Sequence, residues 1–323
     1  MENNGLRKKL HESLLYLLWD QWVALGFEGH ENGKGIPFII DPEALLLASL
    51  RFAMNEGRFG EAVSGWLHRN GEMVSVQRLK NLQMVTQLAP YADLRKLSEF
   101  MEGKGFRSWK SLAELDSADA LEDFSPNDFS PGIDRLTGQA PDTKKPENLL
   151  LRLRLVFGIS ARPEILTWLL THRSGHAAGI ARETGWFSKS VQAILNDLEK
   201  AGMLVARNVG KRKEFSKNSR NELWDALGES GARWFSQPGF YLGVHHVLRV
   251  LEASENHGIS AHARAIAMRS DLISLEASFG NTEHNGLFAG TSIQTGADLI
   301  GHFNTETLAL LKLIETRESL GES

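Results

Sequence analysis

From Pro163 to Lys217 the spacing of apolar residues changes in an order that few folds accommodate. Pro163 to His172 opens a helix with Ile165, Leu166, Trp168, Leu169 and Leu170 as its apolar residues. Ala177 to Thr184 is a second, short helix with Ile180 facing inward, and Gly185 turns the chain. Ser188 is placed to cap a third helix that runs to Lys200, where Val191, Ile194, Leu195 and Leu198 recur at helical spacing. Lys189, Ser190, Gln192, Ala193, Asn196 and Lys200 take the opposite face, and Gly202 is the glycine expected just past the helix end. Met203 to Val209 and Glu214 to Lys217 then read as short strands joined by Gly210-Lys211-Arg212-Lys213.

Helix, short helix, glycine turn, helix and basic-tipped hairpin is the plan of a winged helix-turn-helix. The third helix offers small and amide side chains suited to base edges in a major groove. The hairpin carries three consecutive cations, which suit a phosphate backbone or a minor groove. Ser188, Lys189, Ser190, Gln192 and Asn196 are therefore candidates for bases or nearby phosphates. Arg207, Lys211, Arg212 and Lys213 are candidates for the backbone or minor groove.

Ile159-Ser160-Ala161-Arg162-Pro163-Glu164-Ile165-Leu166 belongs to the same pattern, as do Ile180-Ala181, Gly185, Val191, Leu195, Leu198, Ala201-Gly202-Met203-Leu204 and Gly210-Lys211-Arg212. Together they resemble the ArsR/MarR-type winged-helix transcriptional regulators over residues 148–218, about a fifth of the chain. The resemblance implies duplex DNA as partner and a homodimer that binds palindromic sites. The thiolate metal sites of many ArsR proteins do not carry over, because the chain has no cysteine.

Charge is distributed to match. Residues 148–218 hold twelve Lys and Arg against five acids, a net +7 in a chain whose total is −4, which leaves −11 for the remainder. The expected fold class is mainly α: a winged helix-turn-helix domain with a small β-hairpin wing, flanked by helical regions. Residues 1–124 form a helical N-terminal domain, 125–147 a linker, 148–218 the DNA-binding domain, and 219–323 a helical C-terminal region for dimerisation or effector binding. Helices are expected near 10–25, from Asp41-Pro42-Glu43, and near 58–68, 75–89 and 91–102, with no period-2 strand among them. Further helices are expected near 221–227, 240–255, 259–278 and 304–318, with a glycine-rich loop from Gly280 to Gly301. The linker rests on Pro126, Pro131, Pro141 and Pro146 with Gly132 and Gly138.

Other chemistries fare worse. Without cysteine there are no disulfides, thiolate ligands or thiol nucleophiles. His172, His176, His245, His246, His257 and His262 lack compact ligand spacing, so no metal and no cofactor are expected. Asn32-Gly33-Lys34-Gly35 lacks the strand and hydroxyl of a phosphate loop and reads as a turn. Trp186 and Phe187 read as packing residues. No run is apolar enough to span a membrane or serve as a signal peptide, so a cytoplasmic location is the default. The expectation is a DNA-binding regulator and not an enzyme. Two alternatives stand beside it: a scaffold whose winged helix binds protein, and an enzyme in the flanking helices. An effector is expected among those flanks, and Ile266, Leu272, Ile273 and Leu275 are a candidate dimer seam.

Overall fold

Two hydrophobic cores organise the chain, and one extended segment runs between them. The computed structural model describes residues 3–27, 35–54, 56–115, 139–227, 231–255, 261–317 and 320. Asn32 to Lys34 and the first half of the expected linker lie outside the described residues.

The larger core is built by helices from both ends of the sequence. These are α1 (Asn3–Ala24), α2 (Pro42–Phe52), α3 (Gly57–Asn70), α4 (Val76–Thr86), α5 (Tyr91–Gly103) and α6 (Lys110–Ala113) from the first third. From the last third come α12 (Gln237–Glu255), α13 (Ala261–Gly280) and α14 (Gly296–Thr316). α1 buries Leu6, Leu10, Leu14, Leu17, Leu18 and Trp22, a stripe at three- and four-residue steps that faces α2, α12 and α14. Gln21 on α1 donates to the Tyr241 hydroxyl on α12 at 2.6 Å, and Arg317 pairs with Asp20 at 2.5 Å. The two flanking regions, which read in sequence as separate parts, thus share one core.

The smaller core is built by residues 149–232 with Ile39 from the connecting segment. It is formed by α7 (Leu149–Phe157), α8 (Ala161–Thr171), β1 (Ser174–His176), α9 (Ala177–Thr184) and α10 (Ser188–Lys200). β2 (Leu204–Val209), β3 (Arg212–Lys217) and α11 (Leu223–Leu227) complete it. The sheet is antiparallel with order β1-β3-β2, so the late strand β3 lies between the other two. Phe215 on β3 is its fully buried residue, while neighbouring Glu214 and Ser216 alternate outward. Among the described residues the fold is thus mainly helical with one small three-stranded sheet.

Ile36 to Asp41 threads between the cores. Phe38 and Ile40 point into the larger core and Ile39 into the smaller, the alternation of an extended strand. Phe38 makes an isolated parallel bridge to Arg233, and Ile39 N donates to the Arg233 carbonyl at 2.9 Å. The helical reading of this region passed over Ile36-Pro37-Phe38-Ile39-Ile40, whose apolar run is too short for periodicity to classify.

Several expectations are corrected. α14 begins at Gly296, so the Gly280–Gly301 loop is shorter than its glycines suggest. Leu272 and Leu275 are buried inside this chain's own core and cannot form a dimer seam, although Ile273 is exposed. Asp41 does cap α2 as read, accepting from Ala44 N at 3.0 Å with Pro42 at the first position. Among the described residues no helix is long and apolar enough to cross a membrane.

Candidate nucleic-acid interface

Gly185 sets the angle between α9 and α10. Its φ is +72°, and a Cβ there would come within 2.6 Å of Leu82 Cδ2, so both backbone shape and crowding require glycine. Val191, Leu195 and Leu198 are buried and Ile194 packs partly against the same core, which turns the other face of α10 outward.

Ser188, Lys189, Ser190 and Ala193 are exposed on that outward face. Ser188 is not the cap expected of it: Phe187 occupies the N-cap position, with no side-chain capping bond. The first amides of α10 are partly served by the Phe187 carbonyl, which accepts from Ser190 and Val191 at 3.0 and 3.1 Å. Gln192 and Asn196 sit one turn apart, half-buried, with Gln192 Nε2 donating to Asn196 Oδ1 at 3.0 Å. Their amides therefore form one unit that leaves the Gln192 oxygen and the Asn196 nitrogen outside the shared bond. Trp186 packs partly against the smaller core as expected, but Phe187 is 60% exposed and is no core plug.

The β2–β3 hairpin is tighter than its sequence suggested. β2 and β3 close through Gly210-Lys211, with Val209 paired to Arg212 and φ of +60° at Gly210. Arg212 and Lys213 therefore belong to β3, and Lys211 alone of the three cations sits in the turn. Arg207 lies opposite Glu214 across the ladder, with their charged groups 3.4 Å apart. Lys213 Nζ reaches Glu199 Oε2 at 2.6 Å and ties the hairpin to the end of α10. Arg212 Nη1 lies 3.3 Å from His176 Nε2, while His176 Nδ1 already accepts from Gly179 N at 3.0 Å. A neutral imidazole has one acceptor nitrogen, and with Nδ1 in that role Nε2 offers Arg212 no acceptor.

Exposure sharpens the charge asymmetry. Arg162, Arg173, Arg182, Lys189, Lys200, Arg207, Lys211, Arg212 and Lys213 are all exposed, whereas Asp197 is the one acid of residues 148–218 that is.

Sequence reasoning missed what lies behind this surface. Arg78 and Arg154 are buried with Asp41, Glu43 and Glu164. Arg78 donates to Asp41 (2.6 and 2.5 Å), to Glu43 (2.7 Å) and to the Thr184 carbonyl (2.6 Å). Arg154 donates to Glu43 (2.8 and 2.7 Å) and Glu164 (3.1 and 2.5 Å), and to the Met73 carbonyl (2.7 Å). Asn81 Nδ2 adds a bond to the Gly185 carbonyl at 3.2 Å. The turn between α9 and α10 is thus bolted to α4. Burial pushes the Asp41 carboxyl up, but adjacent Arg78 outweighs it and holds the group below its ordinary range. At Glu164 burial prevails over Arg154 and the carboxyl is raised. The signal in the sequence was Arg154 within the apolar run Leu149 to Phe157.

Elsewhere, His172 stacks on Trp168 at 3.9 Å and burial lowers its pKa. Among the described residues no group of three or more His, Asp or Glu is placed to hold a metal ion. Leu155, Val156, Phe157 and Ile159 are exposed at the α7–α8 corner. No family model, curated protein or solved structure matches this chain.

Proposed function

We propose that residues 148–218 are a winged helix-turn-helix that binds duplex DNA, with α10 in the major groove and the β2–β3 wing on the backbone. Element order α8-β1-α9-α10-β2-β3 and sheet order β1-β3-β2 support the fold reading. The observation that carries the function is nine exposed cations against one exposed acid on this segment, in a chain that is acidic elsewhere. Such a surface binds phosphates with release of counterions, and the small, polar face of α10 admits close approach to base edges. Regulation of transcription follows as the role, with two copies doubling a small reading surface. The deciding experiment is a fluorescence anisotropy titration of the full chain with random duplex at 50 and 200 mM salt. A steep fall in affinity between the two is expected; a flat response removes DNA from the reading.

One observation favours a protein-binding scaffold instead, the exposed apolar run at Leu155, Val156, Phe157 and Ile159. That reading gains if duplex does not bind.

A further inference from the structure

A cleft of about 690 Å³ opens directly beneath the turn that leads into α10. Its walls come from three places: the last turn of α4, the end of α9 with the turn Gly185 to Phe187, and the facing sides of α12 and α13. The volume lies in the range of small-molecule sites. Leu82, Met84, Val85, Trp186, Phe187 and Leu242 give it an apolar lining. Met84, Val85 and Phe187 are 58%, 83% and 60% exposed, an unusual concentration of large apolar side chains around one opening.

Arg182 and Arg249 are the cations that line the cleft, and Glu183 is its acid. His245, His246 and Arg249 on α12 line it, and Arg51 and Arg249 both act on His245. Burial first, and then these cations, hold His245 neutral down to about pH 2. The Asp271 carboxylate is shared between His246 and Arg249, each at 3.2 Å. Arg249 commits Nε to that pair, and its side chain remains 39% exposed, which leaves the rest of a five-donor guanidinium for an incoming anion.

We propose that this cleft binds an amphipathic organic acid, its apolar body against the α4 and turn residues and its carboxylate toward Arg249, and that occupancy shifts the turn preceding α10. The turn is a shared wall, so an occupant touches both the large helical core and the segment that orients α10. Effector binding was expected among the flanking helices; the cleft instead joins them to the helix-turn-helix segment. Any consequence for DNA rests on the function proposed above.

The test uses the full chain and decanoate, with 1-decanol as its uncharged match. Calorimetry is expected to show decanoate binding at least tenfold tighter than decanol. Arg249→Gln is expected to erase that difference, and Leu242→Trp, which fills the cleft, to abolish binding of both at unchanged helical circular dichroism. Hydrogen exchange at residues 184–191 is expected to slow at least fivefold with decanoate. No binding of either probe, equal binding of the two, or binding indifferent to both variants overturns the site. Unchanged exchange at 184–191 overturns the coupling. These readouts need no DNA, so a failure of duplex binding sinks the function and leaves the cleft to be judged separately.

Discussion

Arg154 and Lys211 count equally in a sequence tally of basic charge, but they do opposite work. Lys211 stands exposed in the two-residue turn of the β2–β3 hairpin. Arg154 is 3% exposed and held by two carboxylates and a carbonyl. A cation in the first setting projects potential into solvent, whereas one in the second is neutralised where it sits. The lesson is that a basic segment announces a polyanion partner only through its exposed members. Here removing Arg154 from the count leaves the net charge of the segment unchanged, because Glu164 is buried with it.

The largest effect should come from breaking the buried side of this comparison. Arg154→Met leaves Glu164 without its cation and Glu43 with Arg78 alone in a dry interior, at a cost of about 3–5 kcal/mol. Thermal unfolding measures it, and a loss below 1 kcal/mol would show that water reaches the cluster. Glu164→Gln separates charge from geometry. Because burial raises the Glu164 pKa above its ordinary 4.5, the fold favours the protonated form. Wild-type stability from this group is therefore present at low pH and falls as pH rises from the unfolded value through the raised one. The glutamine variant should lack that fall. A parallel pH dependence in both proteins would contradict the assigned shift.

These two settings also differ in how far the sequence reveals them. The surface side was legible: α8, α9, α10 and the hairpin follow from Ile165 to Leu170, Ile180, Gly185, Val191 to Leu198 and Gly210, each a local signal with a local cause. The buried side was not, because Glu43 and Arg154 meet across more than a hundred residues and only tertiary packing brings them together. Glu43 looked like a helix first-turn acid, and that reading is also right; nothing local adds that Arg78, Arg154 and Ser75 N converge on it. The cleft was hidden for the same reason, since its walls come from three separate stretches of chain.

On the exposed side, changing Lys211, Arg212 and Lys213 together to Ala should weaken binding to every duplex and flatten the salt slope by up to about three units. The structure ranks them. Lys211→Ala should remove close to a full unit, and Lys213→Ala less, because Lys213 is already engaged by Glu199 at 2.6 Å. Salt-dependent anisotropy on the single variants resolves the order. Equal effects would mean that the Lys213–Glu199 pair opens on DNA, as a surface pair contributing on the order of 0–1 kcal/mol readily does. Wild-type slope in the triple variant would take the wing off DNA.

Gln192→Ala should matter less and differently. Its amide is braced by Asn196, which fixes the direction of the free oxygen. If that face meets a base edge, discrimination between preferred and random duplex falls by about 1–3 kcal/mol while binding to random duplex persists. Selection from a random duplex library, then titration of both duplexes, checks this. Equal losses on both would make Gln192 a backbone contact.

The smallest stability effect is expected at Ser188, where sequence and structure give different answers. A serine that caps a helix costs about 0.5–2 kcal/mol when changed to alanine. Ser188 instead occupies the first helical position, exposed and after the Phe187 N-cap, and makes no capping bond. Ser188→Ala should therefore shift stability by less than about 0.5 kcal/mol, as a surface change does. A measured loss above 1 kcal/mol would restore the capping role. DNA supplies an independent axis, because a hydroxyl that touches a phosphate carries no charge. Its removal should lower affinity several-fold at every salt concentration and leave the slope unchanged. Lys189→Ala, one residue on and equally exposed, should lower the slope by about one unit. If both variants bind as wild type does, the first turn of α10 lies off the DNA, and the contact moves to the Gln192–Asn196 turn and the wing.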